Sequence, residues 1–287
     1  MKEARFYTAT EDGVQCLLCP HHCRIKDGGR SLCRSRACHG NKLYALSYGR
    51  PCALADDPVE KKPLNQFLPG TRCLSLSCTG CNLSCRWCQN SDISQAFPED
   101  VDSLLLSPEE VVSTCLRHGL PSMAFTYTEP FTGWEYMYDI AYIAHEKGLK
   151  NILVSAGYVE KEPLRELLPL LDAANIDIKA MDDAFYRQYC GATLAPVLEN
   201  ILAMHEAGIH VEITNLLITG LNDAEEQVGT LCRWMAENGL QDVALHLSRF
   251  FPRYRFVDAP PTPKHVLVKA GEIARSYGIR SVYLGNI

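Results

Sequence analysis

From residue 71 onward, short apolar runs alternate with longer segments whose apolar positions recur at helical spacing. A parallel sheet built from βα units reads this way in sequence. The pattern predicts strands at 72–77, 123–127, 151–155, 175–179, 210–216 and 242–247. Helix signals fall between them. Ser107-Pro108-Glu109-Glu110 has the form of a capping box with proline in the first turn, Asn222-Asp223 opens another helix, and Gly119, Gly148, Gly208, Gly239 and Gly278 stand where helices close. Six such units imply an α/β fold: an open partial (β/α)6 TIM-like barrel over 71–287, with a Cys-rich N-terminal appendage over 1–70.

Parallel barrels place their chemistry at the C-terminal ends of the strands. Period-two alternation in 175–179 sends Ile176 and Ile178 to one face and Asp177 and Lys179 to the interior. The same alternation turns Glu212, Thr214, His246 and Ser248 inward, while Val243, Leu245 and Leu247 face the helices. Glu129 follows the strand AFTYT, and Ser155 ends the strand NILVS. Five strand ends thus carry polar groups to one mouth. Carboxylates, an ammonium and hydroxyls there suit a zwitterionic amino acid and a ribose; the plainer alternative is a buried polar network filling a barrel end.

A net charge of -6 and a pI near 5.9 give no general attraction to nucleic acid. Arg24, Lys26, Arg30, Arg34 and Arg36 form a local basic run that reads as a solvated loop. No stretch approaches the ~20 apolar residues of a membrane span, and the start MKEARFYTATEDG lacks the apolar core of a secretory signal. The expected location is cytoplasmic, with no membrane partner. Fourteen cysteines in such a chain point to metal or redox chemistry rather than to disulfides.

Eleven of them lie in the first 88 residues, whereas Cys115, Cys190 and Cys232 are scattered singly and read as small core residues. Cys81-x3-Cys85-x2-Cys88 packs three thiolates into eight residues, enough to wrap three corners of a cubane cluster and leave one iron open. An open position is what catalytic metal sites keep. The alternative adds Cys78 as a fourth ligand and closes a structural zinc site, although the three-residue gap is short for a zinc ribbon. Upstream, Cys16, Cys19, Cys23 and Cys33 supply four thiolates, with His21 or His22 as substitutes. They could hold zinc, hold a second iron-sulfur cluster, or stay reduced and metal-free.

The run Cys81-x3-Cys85-x-Trp87-Cys88 with Gln89-Asn90 resembles the signature of radical S-adenosylmethionine (SAM) enzymes. Together with TYTEP (126–130), NIDIK (175–179) and HLSRFFP (246–252), it is similar to the pyruvate formate-lyase activating enzyme branch. KKPLNQFLPG (61–70) and the CLLCPHHC start look like the AmmeMemoRadiSam group within that branch. The resemblance implies a radical SAM oxidoreductase working anaerobically, with a 4Fe-4S cluster on Cys81, Cys85 and Cys88. The cluster would cleave SAM to a 5′-deoxyadenosyl radical that abstracts hydrogen from a substrate.

By the same likeness Glu129 binds the SAM amine, Ser155 stands in a Thr-Asn-Gly position, Asp177 and Lys179 match an Asp-x-Lys pair, and His246 approaches ribose or adenine. Thr214 adds an inward hydroxyl for the cofactor. Two departures stand out: Thr126-Tyr127-Thr128 replaces the glycines before Glu129, and Ser155-Ala156-Gly157 replaces Thr-Asn-Gly. Expected partners are an electron donor of flavodoxin or ferredoxin type and a glycyl-radical, Memo-type or AMMECR-type protein. Activation of a glycyl residue is the first reading. Modification of a small molecule or Memo-like partner is the second, and a non-enzymatic zinc-binding interaction protein the third.

Overall fold

A computed structural model describes residues 1–287. The N-terminal region is not the loop that its arginines suggest. It folds as β1 (Lys2–Glu3), β2 (Tyr7–Thr10), β3 (Gly13–Cys16), β4 (Arg24–Lys26), β5 (Arg36–His39) and β6 (Lys42–Ala45), paired antiparallel as two three-stranded sheets, β2-β3-β4 and β1-β6-β5. Arg24, Lys26 and Arg30 do face solvent, but Arg36 is fully buried, its Nη2 held by Glu135 at 2.8 and 3.0 Å. Composition gave no sign of that pair, because Glu135 lies 99 residues away on the first turn of a later helix.

The chain then enters the main sheet through β7 (Ala53–Pro58), which pairs antiparallel with β8 (Arg72–Ser77). Six further strands follow in parallel: β9 (Ser122–Phe125), β10 (Lys150–Ser155), β11 (Ala173–Asp177), β12 (His210–Leu217), β13 (Ala244–Arg249) and β14 (Val282–Gly285). Spatial order follows sequence order from β7 to β14, giving an eight-stranded open sheet whose parallel strands are connected by helices, a partial barrel. The helices are α1 (Ser91–Ser94), α2 (Pro108–Arg117), α3 (Trp134–Glu146), α4 (Lys161–Leu167), α5 (Asp183–Phe185), α6 (Ala195–Glu206), α7 (Glu225–Glu237) and α8 (Lys264–Ser276).

Local signals explain most of the boundaries. Ser107 and Glu110 form the reciprocal capping box of α2, satisfying two otherwise orphaned amides. All six expected strands are present, and two edge strands join them. β7 carries Asp56-Asp57-Pro58 and β14 has only four half-buried residues, so neither shows a strand period. Asn222-Asp223 does not open a helix: α7 starts at Glu225, and Asn222 is buried between Ile218 N and the carbonyls of Lys179 and Leu216. The strand expected at 175–179 runs instead over Ala173–Asp177, in register with His210–Thr214, and the Lys179 amide leaves the ladder for Tyr186 Oη.

The segment between β7 and β8 plugs the barrel from below. Lys62 is buried with Nζ 2.6 Å from Asp57 Oδ2 and 4.5 Å from the Tyr127 ring centroid. The amides of Asn65 and Gln66 donate to the Glu212 carboxylate. Burial alone would raise the Glu212 pKa, but His210, His246 and these amides bring it down to about 2.

Candidate active site

The loop after β8 holds the three cysteines at the mouth of the sheet. Cys81 accepts from Leu83 N at 3.3 Å, and Cys88 lies 3.3 Å from Ser94 Oγ on α1. The three thiols lie within electrostatic reach of one another. The Cys190 thiol beside Cys85 holds it below the ordinary thiol range; burial opposes this, and Lys179 supports it. Cys81 is pushed well above that range by burial and by the Glu129 charge. Three soft sulfur donors, one with an amide already aimed at it, fit a cubane cluster. No group of three or more His, Cys, Asp or Glu side chains stands closed around a single ion.

Cys78 does not belong to this set. Its thiol points to Ser47 O at 3.6 Å and neighbours Cys52 and Tyr136, so a fourth-ligand role is not supported.

Across from the thiols lies Glu129, 2 % exposed. Ser155 Oγ donates to Oε1 at 2.7 Å, Phe131 N to the same oxygen at 3.3 Å, and Ala156 N to Oε2 at 2.9 Å. Burial raises its pKa against these bonds. A carboxylate accepts about four hydrogen bonds, so Glu129 keeps one site open beside Cys81. Ser155 acts on Glu129 as well as on Gly157 N.

Lys179 comes from the turn beyond β11, where its amide donates to Tyr186 Oη at 2.9 Å. Nζ pairs with Asp177 Oδ2 at 2.7 Å. Burial disfavours its charge, but Asp177 and Cys85 outweigh that and raise the pKa well above normal.

The sequence-predicted residues therefore separate into two groups. Cys81, Cys85, Cys88, Glu129, Ser155, Asp177 and Lys179 share one mouth. Thr214, beside Asp177 in register, instead donates to Asn175 at 2.8 Å, and His246 Nε2 lies 2.6 Å from Glu212 with its ring stacked on Tyr283. Cys190 is the buried core residue that the sequence suggests, but its place beside Cys85 was not legible there, nor was the role of Asn90, whose Nδ2 ties the cysteine loop to Tyr127 O at 2.7 Å. A π-helical turn, Tyr186–Cys190, closed by Gly191 at φ 66°, brings Cys190 to Cys85.

Gly80, at φ 98°, sets the approach to Cys81; a Cβ there would lie 2.0 Å from Ser35 Oγ and 2.4 Å from Cys33 O. Gly80→Ala should therefore cost about 1–3 kcal/mol of stability and lower iron loading, measured by thermal melting and iron analysis. A variant with unchanged melting and loading would show that this close approach is not required.

Residues 76–235, which span all three cysteines, Glu129 and Lys179, match the radical SAM superfamily. The chain belongs to the radical SAM superfamily. Members use a 4Fe-4S cluster and SAM. An uncharacterised protein of Methanocaldococcus jannaschii is 43% identical over 288 residues, covering 100% of this chain and 86% of that protein. The 4-hydroxyphenylacetate decarboxylase activating enzyme of Clostridioides difficile is 25% identical over 72% of this chain, which spans 62% of that enzyme's length. A solved domain of pyruvate-formate lyase-activating enzyme from Bacteroides vulgatus shares the fold, with TM-score 0.52 and 21% identity over 57% of this chain and 99% of that domain. For this radical SAM chain, no helix is long and apolar enough to cross a membrane.

Proposed function

We propose that this radical SAM protein cleaves SAM reductively at a cluster on Cys81, Cys85 and Cys88 and takes a hydrogen atom from a glycyl residue of a partner protein. When bound, the cluster would supply one electron to the sulfonium of SAM, breaking its S–C5′ bond to leave methionine and a 5′-deoxyadenosyl radical, which would take the hydrogen atom and depart as 5′-deoxyadenosine. The carrying observation is the convergence of three thiols with a buried carboxylate that keeps one acceptor site, Glu129.

Glu129 accepts the SAM amine, and Ser155 and Ala156 fix its orientation. Lys179 spends one donor on Asp177 and keeps two for the SAM carboxylate. Thr214 and His246, tied to Asn175 and Glu212 away from this mouth, are given no part in holding SAM. The electron comes from a flavodoxin- or ferredoxin-type donor. Likeness to the activating enzymes supports the glycyl assignment.

A second reading, modification of a small molecule or of a Memo- or AMMECR-type partner, is favoured by one feature. Tyr127 stands at φ 67° where the resembled branch has glycine, and its hydroxyl reaches down the barrel to Asp57. The centroid of that ring lies 4.5 Å from Lys62 Nζ.

Deuterium transfer separates the two. Candidate partners deuterated at glycine, incubated anaerobically with SAM and reductant, should return deuterium in 5′-deoxyadenosine by mass spectrometry. Label arriving only from a small molecule or from non-glycine positions of a partner would establish the second reading.

A further inference from the structure

Four cysteines and a buried arginine of the N-terminal region take no part in that chemistry. Cys16, Cys19, Cys23 and Cys33 line a single internal cavity with Arg36 and Asn82. All four are free thiols. Cys16 ends β3 and its amide donates to Cys23 O at 2.9 Å, so the intervening turn folds Cys19 and Cys23 back over it, and Cys33 arrives from the segment before β5. The cavity measures about 10 Å³. That is room for one water-sized body, far less than a cubane cluster occupies.

Arg36 shows what the cavity lacks. Its guanidinium is 0% exposed, Nη2 is taken by Glu135 and Nη1 by Arg5 O, yet Nε has no partner. A buried charged donor without an acceptor is unfavourable and calls for an explanation. Cys16 and Cys33 are the sulfurs within electrostatic reach of it, and a thiolate at either would be the missing acceptor. Ser31 Oγ lies 3.0 Å from Cys33 Sγ and donates to Arg36 O at 3.2 Å, so its one proton can turn to the Cys33 sulfur once that sulfur is a thiolate. Thiolates crowded in a buried cavity need a cation among them.

We propose that Cys16, Cys19, Cys23 and Cys33 bind one soft divalent cation of the zinc class in a closed tetrathiolate site. Arg36 and Ser31 hydrogen-bond the coordinating sulfurs and offset the surplus negative charge of four thiolates on one divalent ion. No three of the four already stand at single-ion geometry, so binding draws the sulfurs inward and releases their protons.

The site braces the back of the catalytic loop. His21 Nε2 lies 2.7 Å from Asn82 O, Ser35 Oγ donates to Thr79 O at 2.7 Å, and Cys33 O packs against Gly80. These contacts flank Cys81 on both sides.

The test uses the full chain with Cys81→Ala, Cys85→Ala and Cys88→Ala, which removes the catalytic ligands and leaves the N-terminal set intact. Metal and sulfide analysis after dialysis should find about one zinc per chain and no sulfide. Adding Cys19→Ser or Cys33→Ser should cut the zinc at least about fivefold and lower the melting temperature. Should those variants not fold, cobalt added to the parent should give sulfur-to-cobalt charge-transfer absorption with tetrahedral d–d bands. The same zinc should accompany the catalytic iron in the wild-type chain. Iron with sulfide in place of zinc would establish a second cluster and overturn the proposal, as would a folded parent without stoichiometric metal or cobalt lacking the thiolate bands.

Discussion

Cys85→Ala should yield a folded protein that forms no 5′-deoxyadenosine from SAM under reducing, anaerobic conditions. Cys85 is the middle thiol of the three, with Cys190 and the Lys179 ammonium beside it. With it removed, two protein sulfurs remain for a cubane that already leaves one iron without a protein ligand. Folding should survive, because the loop is also fastened by Ser84 N to Cys190 O at 2.8 Å, Arg86 N to Tyr189 O at 3.2 Å and Trp87 packed among Phe185, Tyr189 and Phe256. Product is measured by chromatography and folding by circular dichroism. Wild-type product formation in this variant would exclude the cluster assignment.

Glu129→Gln and Lys179→Met should each weaken SAM binding by about ten- to a hundredfold, since a charge-assisted hydrogen bond contributes roughly 1.5–3 kcal/mol. Three donors already converge on the two oxygens of Glu129. A glutamine must turn its NH2 toward at least one of them, so loss of charge and a donor clash act together. Lys179→Met removes the cation that faces Cys85 and leaves Asp177 without its partner. Neither residue is a cluster ligand, so the iron-sulfur spectrum should stay normal while titration shows the loss. Unaltered affinity in both variants would make these strand-end residues a structural network.

How far the sequence could be read follows from the range of the forces involved. The parallel strands and the α2 cap depend on neighbours a few residues away, and alternation or S-P-E-E spacing records them. The cysteine triad stands out in the sequence because three thiols fall in one loop. Lys179 shares the thiol mouth, but not through strand alternation: it lies past the strand end and is set by Tyr186 Oη. Cys190 reaches Cys85 only through a π-helical turn, whose extra residue leaves no local trace. The burial of Arg36 by Glu135 and the pinning of Glu212 by the amides of Asn65 and Gln66 are long-range pairings, invisible to periodicity.

Cluster-dependent cleavage at Cys81, Cys85 and Cys88 is tested most directly on the wild-type chain, reconstituted anaerobically with iron and sulfide, reduced, and given SAM. The expected result is about four iron and matching sulfide at this site, with 5′-deoxyadenosine accumulating only when reductant is present. A chain that takes up no iron-sulfur cluster, or one that carries it and leaves SAM intact under reduction, would contradict it.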